Sequence, residues 1–314
     1  MRCVLVGNFG VGNLGDELLK KYFLNQFSDI SWTTVSATPR TQEVPRLPLG
    51  LRSFFRPWWR TLHAYHTCDG VVFGGGSLFT DTESPFACVL WWWHALIAWM
   101  FGKPLLLAFQ GIGPFRTRMG MACARWVIRH AVFCSVRDEA SAKRVEGWGR
   151  TVVRSTDPIV GSVVSGEWKV VSDGGKRFVI IPRQNSGENF FSRVRDVIRK
   201  NSFDEIVILS LQPDHRGEKR VCEQLQEEVK DAIIVPIHSL EMLVCEIYRA
   251  SCVLSQRYHG ALTALALKKN VEIVHQTEGD KLASLRESLS NGVSALRIGE
   301  ETLRSALMRM ASPL

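Results

Sequence analysis

The chain has 314 residues, enough for two domains, an ordinary globular composition apart from 10 tryptophans, and a formal net charge of +8 at pH 7. That balance favours anionic partners, but Lys and Arg are scattered and form no long tract, which argues against nucleic acid and leaves phosphate or carboxylate substrates or an acidic membrane surface. The 8 cysteines sit in apolar segments without a C-x-x-C pair, so they read as buried thiols of a reducing compartment, with neither a disulfide framework nor a metal site.

The first apolar run, Cys3–Val6, reads as a core strand and not as a signal peptide, which places the protein in the cytoplasm. It leads into GNFGVGNLGDE at 7–17, and then into a helical pattern over Leu18–Phe27. Glycines such as Gly12 and Gly15 let a strand-to-helix turn approach another group closely, and the turn delivers free N–H groups at a helix N-terminus. Asp16 and Glu17 suit the positive helix end but repel an anion. With Asn13 they are better matched to sugar hydroxyls than to a pyrophosphate, and no Walker lysine is present. A glycine-rich turn with ordinary capping carboxylates is the plain alternative.

The stretch 51–65, LRSFFRPWWRTLHAY, spaces Arg52, Arg56 and Arg60 at helical intervals among Phe and Trp. That composition suits a membrane interface, although Pro57 interrupts a clean helix and a loop packing its aromatics on the domain is the competing reading. Further buried strands are expected at Gly70–Phe73, Leu105–Phe109 and Val132–Val136, with a weaker one at Thr151–Arg154. The apolar segment Phe86–Phe101, with Trp91-Trp92-Trp93, is short for a membrane span and reads as a buried or half-buried helix. Continuous apolar strands separated by helices predict a parallel sheet covered on both faces.

Each strand is followed by residues able to line a ligand: Gly74-Gly75-Gly76-Ser77, Gln110-Gly111-Ile112-Gly113-Pro114, Ser135-Val136-Arg137-Asp138 and Asp157-Pro158. Gly161–Lys176 reads as a linker. The alternation restarts at Phe178–Ile181, Ile206–Leu211, Ile233–Ile237, Cys252–Ser255 and Val271–His275. The expected division is an N-terminal Rossmann-like domain over 1–165 and a C-terminal one over 176–314, with ligands at the carboxyl ends of the strands. Arg257-Tyr258-His259-Gly260 follows a strand and opens a helix. The Arg fork matches carboxylate or phosphate oxygens in pairs, and the His can deliver a proton near neutral pH. Arg183 ends another strand, and Lys281 follows in Glu278-Gly279-Asp280-Lys281. An exposed loop Arg with a capping His, and a solvated Lys, are the plain alternatives.

These motifs together resemble the polysaccharide pyruvyl transferase family: GNFGVGNLGDE at 7–17, FGGGSLFTD at 73–81, QGIGP at 110–114, SVRD at 135–138, DP at 157–158, RYHGAL at 257–262 and GDK at 279–281. Gln184 stands where that family often has proline. The resemblance implies a GT-B-like pair of Rossmann-like domains facing across a cleft, the N-terminal one on the acceptor side and the C-terminal one on the phosphoenolpyruvate side. It implies a pyruvyl group moved from phosphoenolpyruvate to a glycan diol, lipid-linked or not, as a cyclic ketal of a cell-wall or surface polysaccharide. Arg257, Arg183 and Lys281 would hold the donor anions, His259 would be the general acid, and Asp16 or Glu17 on the opposite domain would serve the diol. Gly12, Asn13, Gly15, Gly75, Gly76, Ser77, Gln110 and Gly111 would complete the binding surface, with no metal or other cofactor. The alternatives are a GT-B glycosyltransferase using a nucleotide sugar and a non-catalytic sugar-binding protein.

Overall fold

The computed structural model describes residues 1–49, 55–82, 84–168, 174–275, 285 and 292–311. They form two compact units, one of Met1–Val11, Leu19–Pro158 and Ser290–Leu314, the other of Gly12–Leu18 and Ile159–Leu289.

Unit 1 contains β1 (Arg2–Val6), most of α1 (Leu14–Gln26), β2 (Ser31–Ser36), β3 (Glu43–Pro45), α2 (Trp59–Thr67), β4 (Gly70–Phe79), α3 (Ala87–Met100), β5 (Leu105–Ile112), α4 (Arg118–His130), β6 (Phe133–Val136), α5 (Glu139–Glu146) and β7 (Val153–Arg154). Its strands pair in parallel in the order β3-β2-β1-β4-β5-β6-β7. The order reverses between β1 and β4, the switch point outside which open α/β sheets bind ligands. Alternate strand residues go to opposite faces. Val4, Val6, Val71, Phe73, Leu105 and Leu107 pack under α2, α3, α4 and α5. Cys3, Leu5, Val72, Leu106 and Ala108 pack with Phe23 and Phe27 of α1.

Unit 2 contains α6 (Pro158–Ser165), β8 (Arg177–Ile181), α7 (Glu188–Lys200), β9 (Glu205–Ser210), α8 (Arg216–Glu228), β10 (Ile233–Pro236), α9 (Leu240–Tyr248), β11 (Cys252–Ser255), α10 (Tyr258–Ala266) and β12 (Val271–Ile273). Its parallel sheet runs β10-β9-β8-β11-β12, with the same reversal between β8 and β11. Both faces are covered by helices, as the unbroken apolar strands require.

The division departs from the 1–165 and 176–314 boundaries in three places. The last helix, α11 (Gly292–Ala311), belongs with unit 1, where Leu296, Leu303, Ala306 and Leu307 join the cluster around Phe23 and Phe109. Gly12–Leu18 belongs with unit 2, because Leu14 is buried among Val179, Ile181, Leu209 and Leu211. The expected linker from Gly161 begins inside α6, whose Ile159, Val160 and Val163 are buried; its residues 169–173 lie outside the described ones. The triple glycine and Gln110-Gly111 are also not loops. β4 runs through to Phe79 and β5 to Ile112, with the register slipping between Gly76 and Phe79, and Gly75 and Gly76 at φ +74° and +79° supply the irregularity.

Candidate functional site

Three strands of unit 2 deliver polar side chains to one sheet edge. Past β8, the Arg183 N–H donates to Ser186 Oγ at 2.9 Å, and that hydroxyl donates to Gln256 Oε1 at 2.5 Å, so the ends of β8 and β11 are tied beside the switch point. Arg183 is buried. Past β11, Arg257 is the residue before α10 and is 7 % exposed. Its N–H donates to Ser255 Oγ at 3.2 Å and its guanidinium donates to Gln212 Oε1, past β9, at 3.2 Å. The same guanidinium contacts the carboxylate of Glu218.

Glu218 lies in the first turn of α8 and is fully buried. Its Oε1 accepts from Ser210 Oγ at 3.0 Å and from the Gln212 N–H at 2.7 Å. A buried carboxylate with two donors and a guanidinium satisfies its charge internally. It also fixes which edge of the Arg257 fork faces away from the pair. Nothing in EKRVCEQLQEE over 218–228 distinguishes Glu218 from the solvated carboxylates of an amphipathic helix, so sequence reading missed it.

His259 occupies the first turn of α10 and is half-buried, its ring edge-on to Tyr258 at 5.2 Å between centroids. The glycine turn meets it directly. The Leu14 N–H donates to the Leu211 carbonyl at 3.1 Å, and Asn13 Oδ1 accepts from the Gly15 N–H at 3.1 Å. A Cβ on Gly15 would stand 1.9 Å from His259 Nδ1. Gly15 is therefore required by close approach, whereas Gly12, with φ +74° and open space around it, is required by its backbone conformation. Asp16 and Glu17, half-buried in the first turn of α1, share a unit with His259 and not the opposite one, a correction that follows from the seating of Leu14.

Unit 1 assembles a second polar cluster at its own carboxyl edge. Arg137 is 2 % exposed; its guanidinium pairs with the buried Asp157 at 2.5 Å and donates to Ser77 Oγ at 2.7 Å. A Cβ on Gly111 would come within 2.8 Å of Ser77 Oγ and 3.2 Å of Arg137 Nε, so Gly111 leaves room for this pair. Gln110 points inward, its Nε2 donating to the carbonyls of Phe73 at 2.9 Å and Ala108 at 3.1 Å, which stitches β4 to β5. Asp81 receives the N–H groups of Arg116 and Thr117 and the Thr117 hydroxyl at the start of α4. Burial alone would raise its pKa, but these bonds hold the carboxyl below its usual range.

The structure thus brings Gly15, His259, Arg257 and Arg183 to unit 2, and Ser77 and Gly111 to a separate cluster in unit 1. Lys281, with Glu278 and Asp280, lies outside the described residues.

No curated protein matches the chain. Among solved structures, the UDP-GlcNAc 2-epimerase of Neisseria meningitidis bound to UDP-GlcNAc is similar with a TM-score of 0.63 at 12% identity, covering 98% of this chain and 100% of that one. HepE of Anabaena in complex with UDP-glucose is similar with a TM-score of 0.64 at 11% identity, covering 96% and 99%. The epimerase of Methanocaldococcus jannaschii gives 0.60 at 13% identity, covering 98% and 100%. At these identities the likeness shows the fold, a GT-B-like α/β architecture of parallel sheets. The family model of polysaccharide pyruvyl transferases matches residues 13–271, from the glycine turn to the start of β12. With that span the chain belongs to the polysaccharide pyruvyl transferase family.

Proposed function

We propose that the protein transfers a pyruvyl group from phosphoenolpyruvate to two hydroxyls of a glycan, forming a cyclic ketal. The observation that carries this reading is the convergence of Arg183, Arg257 and His259 at the carboxyl edge of β8 and β11, with Gly15 seated against the imidazole. Two buried guanidinium groups suit a substrate carrying both a phosphate and a carboxylate. Glu218 offsets part of the Arg257 charge, so the fork acts as an oriented donor.

In the reaction, His259 protonates the methylene carbon, and the C2 cation is stabilised by its ester oxygen. A glycan hydroxyl attacks C2, the C2–O bond to phosphate breaks, and the second hydroxyl closes the ring. One hydroxyl proton restores His259 and the other leaves with phosphate, with Asp16 or Glu17 as the acceptor that relays it. A general acid or base must reach its proton within about 3 Å or through one water.

A second reading, transfer from a nucleotide sugar, is favoured by the fold likeness to proteins solved with UDP-GlcNAc and UDP-glucose. Calorimetry separates the two. Saturable phosphoenolpyruvate binding that Arg257→Ala abolishes supports pyruvyl transfer. Binding of UDP or GDP without any response to phosphoenolpyruvate supports glycosyl transfer and removes the first reading.

A further inference from the structure

Three of the four helices on one face of the unit 1 sheet, α2, α3 and α4, have no acidic residue. From Val44 to Cys68, and again from Ser84 to Arg137, the chain contains no Asp or Glu, and these stretches include all of α2, α3 and α4. The middle helix, α3, reads ACVLWWWHALIAWM and carries no Lys or Arg either. Cys88, Trp91, His94, Ala95 and Ala98 form its buried face. At 3.6 residues per turn, Phe86, Leu90, Trp93, Ile97 and Met100 fall on the opposite side, in alternating steps of four and three. Phe86 and Met100 at the two ends of that stripe are 60% and 66% exposed, and the three between are half-buried, packing in part against the core cluster below and leaving the rest of their surface outward. A surface helix is ordinarily polar on its outer face, and this one is apolar on both.

The flanks are cationic. α4 packs beside α3, with Trp99 edge-on to Trp126 at 5.8 Å and to His130 at 5.5 Å, and it presents Arg118, Arg125 and Arg129 to solvent. α2, on the other side, presents Arg60, with Trp59 63% exposed. Exposed aromatics with Arg and no carboxylates match the interfacial zone of an anionic bilayer, where Trp rings sit at headgroup level and cations meet lipid phosphates. A partner protein would ordinarily bring cations as well as carboxylates, and α2, α3 and α4 carry no acidic group to receive them.

We propose that the α2–α3–α4 face of unit 1 is a docking surface for an anionic membrane. The segment over 51–65 contributes its described part, Phe55 to Tyr65, to the same layer; residues 51–54 lie outside the described ones. Docking is a property of unit 1 alone and does not depend on the donor assigned above.

The test is flotation of the full chain with vesicles of mixed phosphatidylglycerol and phosphatidylcholine, and with pure phosphatidylcholine vesicles, beside Phe86→Glu/Met100→Glu and Arg125→Ala/Arg129→Ala. All four positions are exposed, and thermal unfolding of each variant confirms the fold. The wild type floats with the anionic vesicles and not with the neutral ones. The acidic double variant stays at the bottom, and the arginine variant partitions about 30-fold less, at about fivefold per cation lost. Failure to float with anionic vesicles, or flotation untouched by both variants, overturns the proposal. So does self-association that Phe86→Glu/Met100→Glu dissolves in the absence of any vesicle binding.

Discussion

Acidification should destabilise the protein through one histidine. His94 is fully buried in α3, where its Nε2 accepts the Leu47 N–H at 3.1 Å and its Nδ1 faces the Tyr65 hydroxyl at 2.5 Å. A nitrogen that accepts cannot also carry a proton, so the ring is neutral with its hydrogen on Nδ1. Burial, and then the Arg46 charge, push its pKa from 6.5 down to about 3. Between those values the unfolded chain binds a proton that the folded chain does not, so stability falls as pH drops through the unfolded value and levels off below the folded one. From pH 7 to pH 5 the loss is about 2 kcal/mol from this residue alone. Urea unfolding followed by circular dichroism at both pH values, on the wild type and on His94→Gln, measures it. The variant starts less stable but should lose about 2 kcal/mol less than the wild type over the same interval. Equal losses in both proteins would refute the reasoning.

Gly15→Ala should lower turnover by about two orders of magnitude with little change in melting temperature, because the new methyl displaces the His259 ring, as steady-state kinetics beside a thermal scan will show. Gly12→Ala should do the opposite, costing about 1–2 kcal/mol through its positive φ while sparing turnover. Glu218→Ala should cost about 3–5 kcal/mol in chemical denaturation by leaving Arg257 buried without its carboxylate, and should raise the phosphoenolpyruvate KM. Arg257→Lys should keep the charge and still fail to restore donor affinity in calorimetry, since a point charge does not reproduce the fork that Gln212 and Glu218 hold.

Strands buried on both faces were legible in the chain as unbroken apolar runs, which is why β1, β4, β5, β8, β9 and β11 stood out, although the glycines that continue β4 and β5 read as loops. β2, with sequence SWTTVS, and the three-residue β3 lie toward the sheet edge and carry too few apolar residues to register as a run. Arg257 and His259 were visible because a cation and an imidazole between a strand and a helix break the local pattern. Glu218 was not, because a carboxylate in the first helical turn is what capping alone would place there. Arg137 and Asp157 were each visible as candidate ligand-lining residues after a strand, but their pairing was not; it joins the ends of β6 and β7, a contact across 20 positions that no local pattern encodes.

The return of α11 to unit 1 bears on how the protein is made. Leu296, Leu303, Ala306 and Leu307 complete the face lined by Phe23, Phe27, Leu106 and Phe109. A nascent chain has synthesised all of unit 2 before these side chains leave the ribosome. Until then the first-made sheet shows an open apolar surface to the cell, so the earlier half of the polypeptide is the later one to mature, and the interval between the two is when chaperones have most to hold.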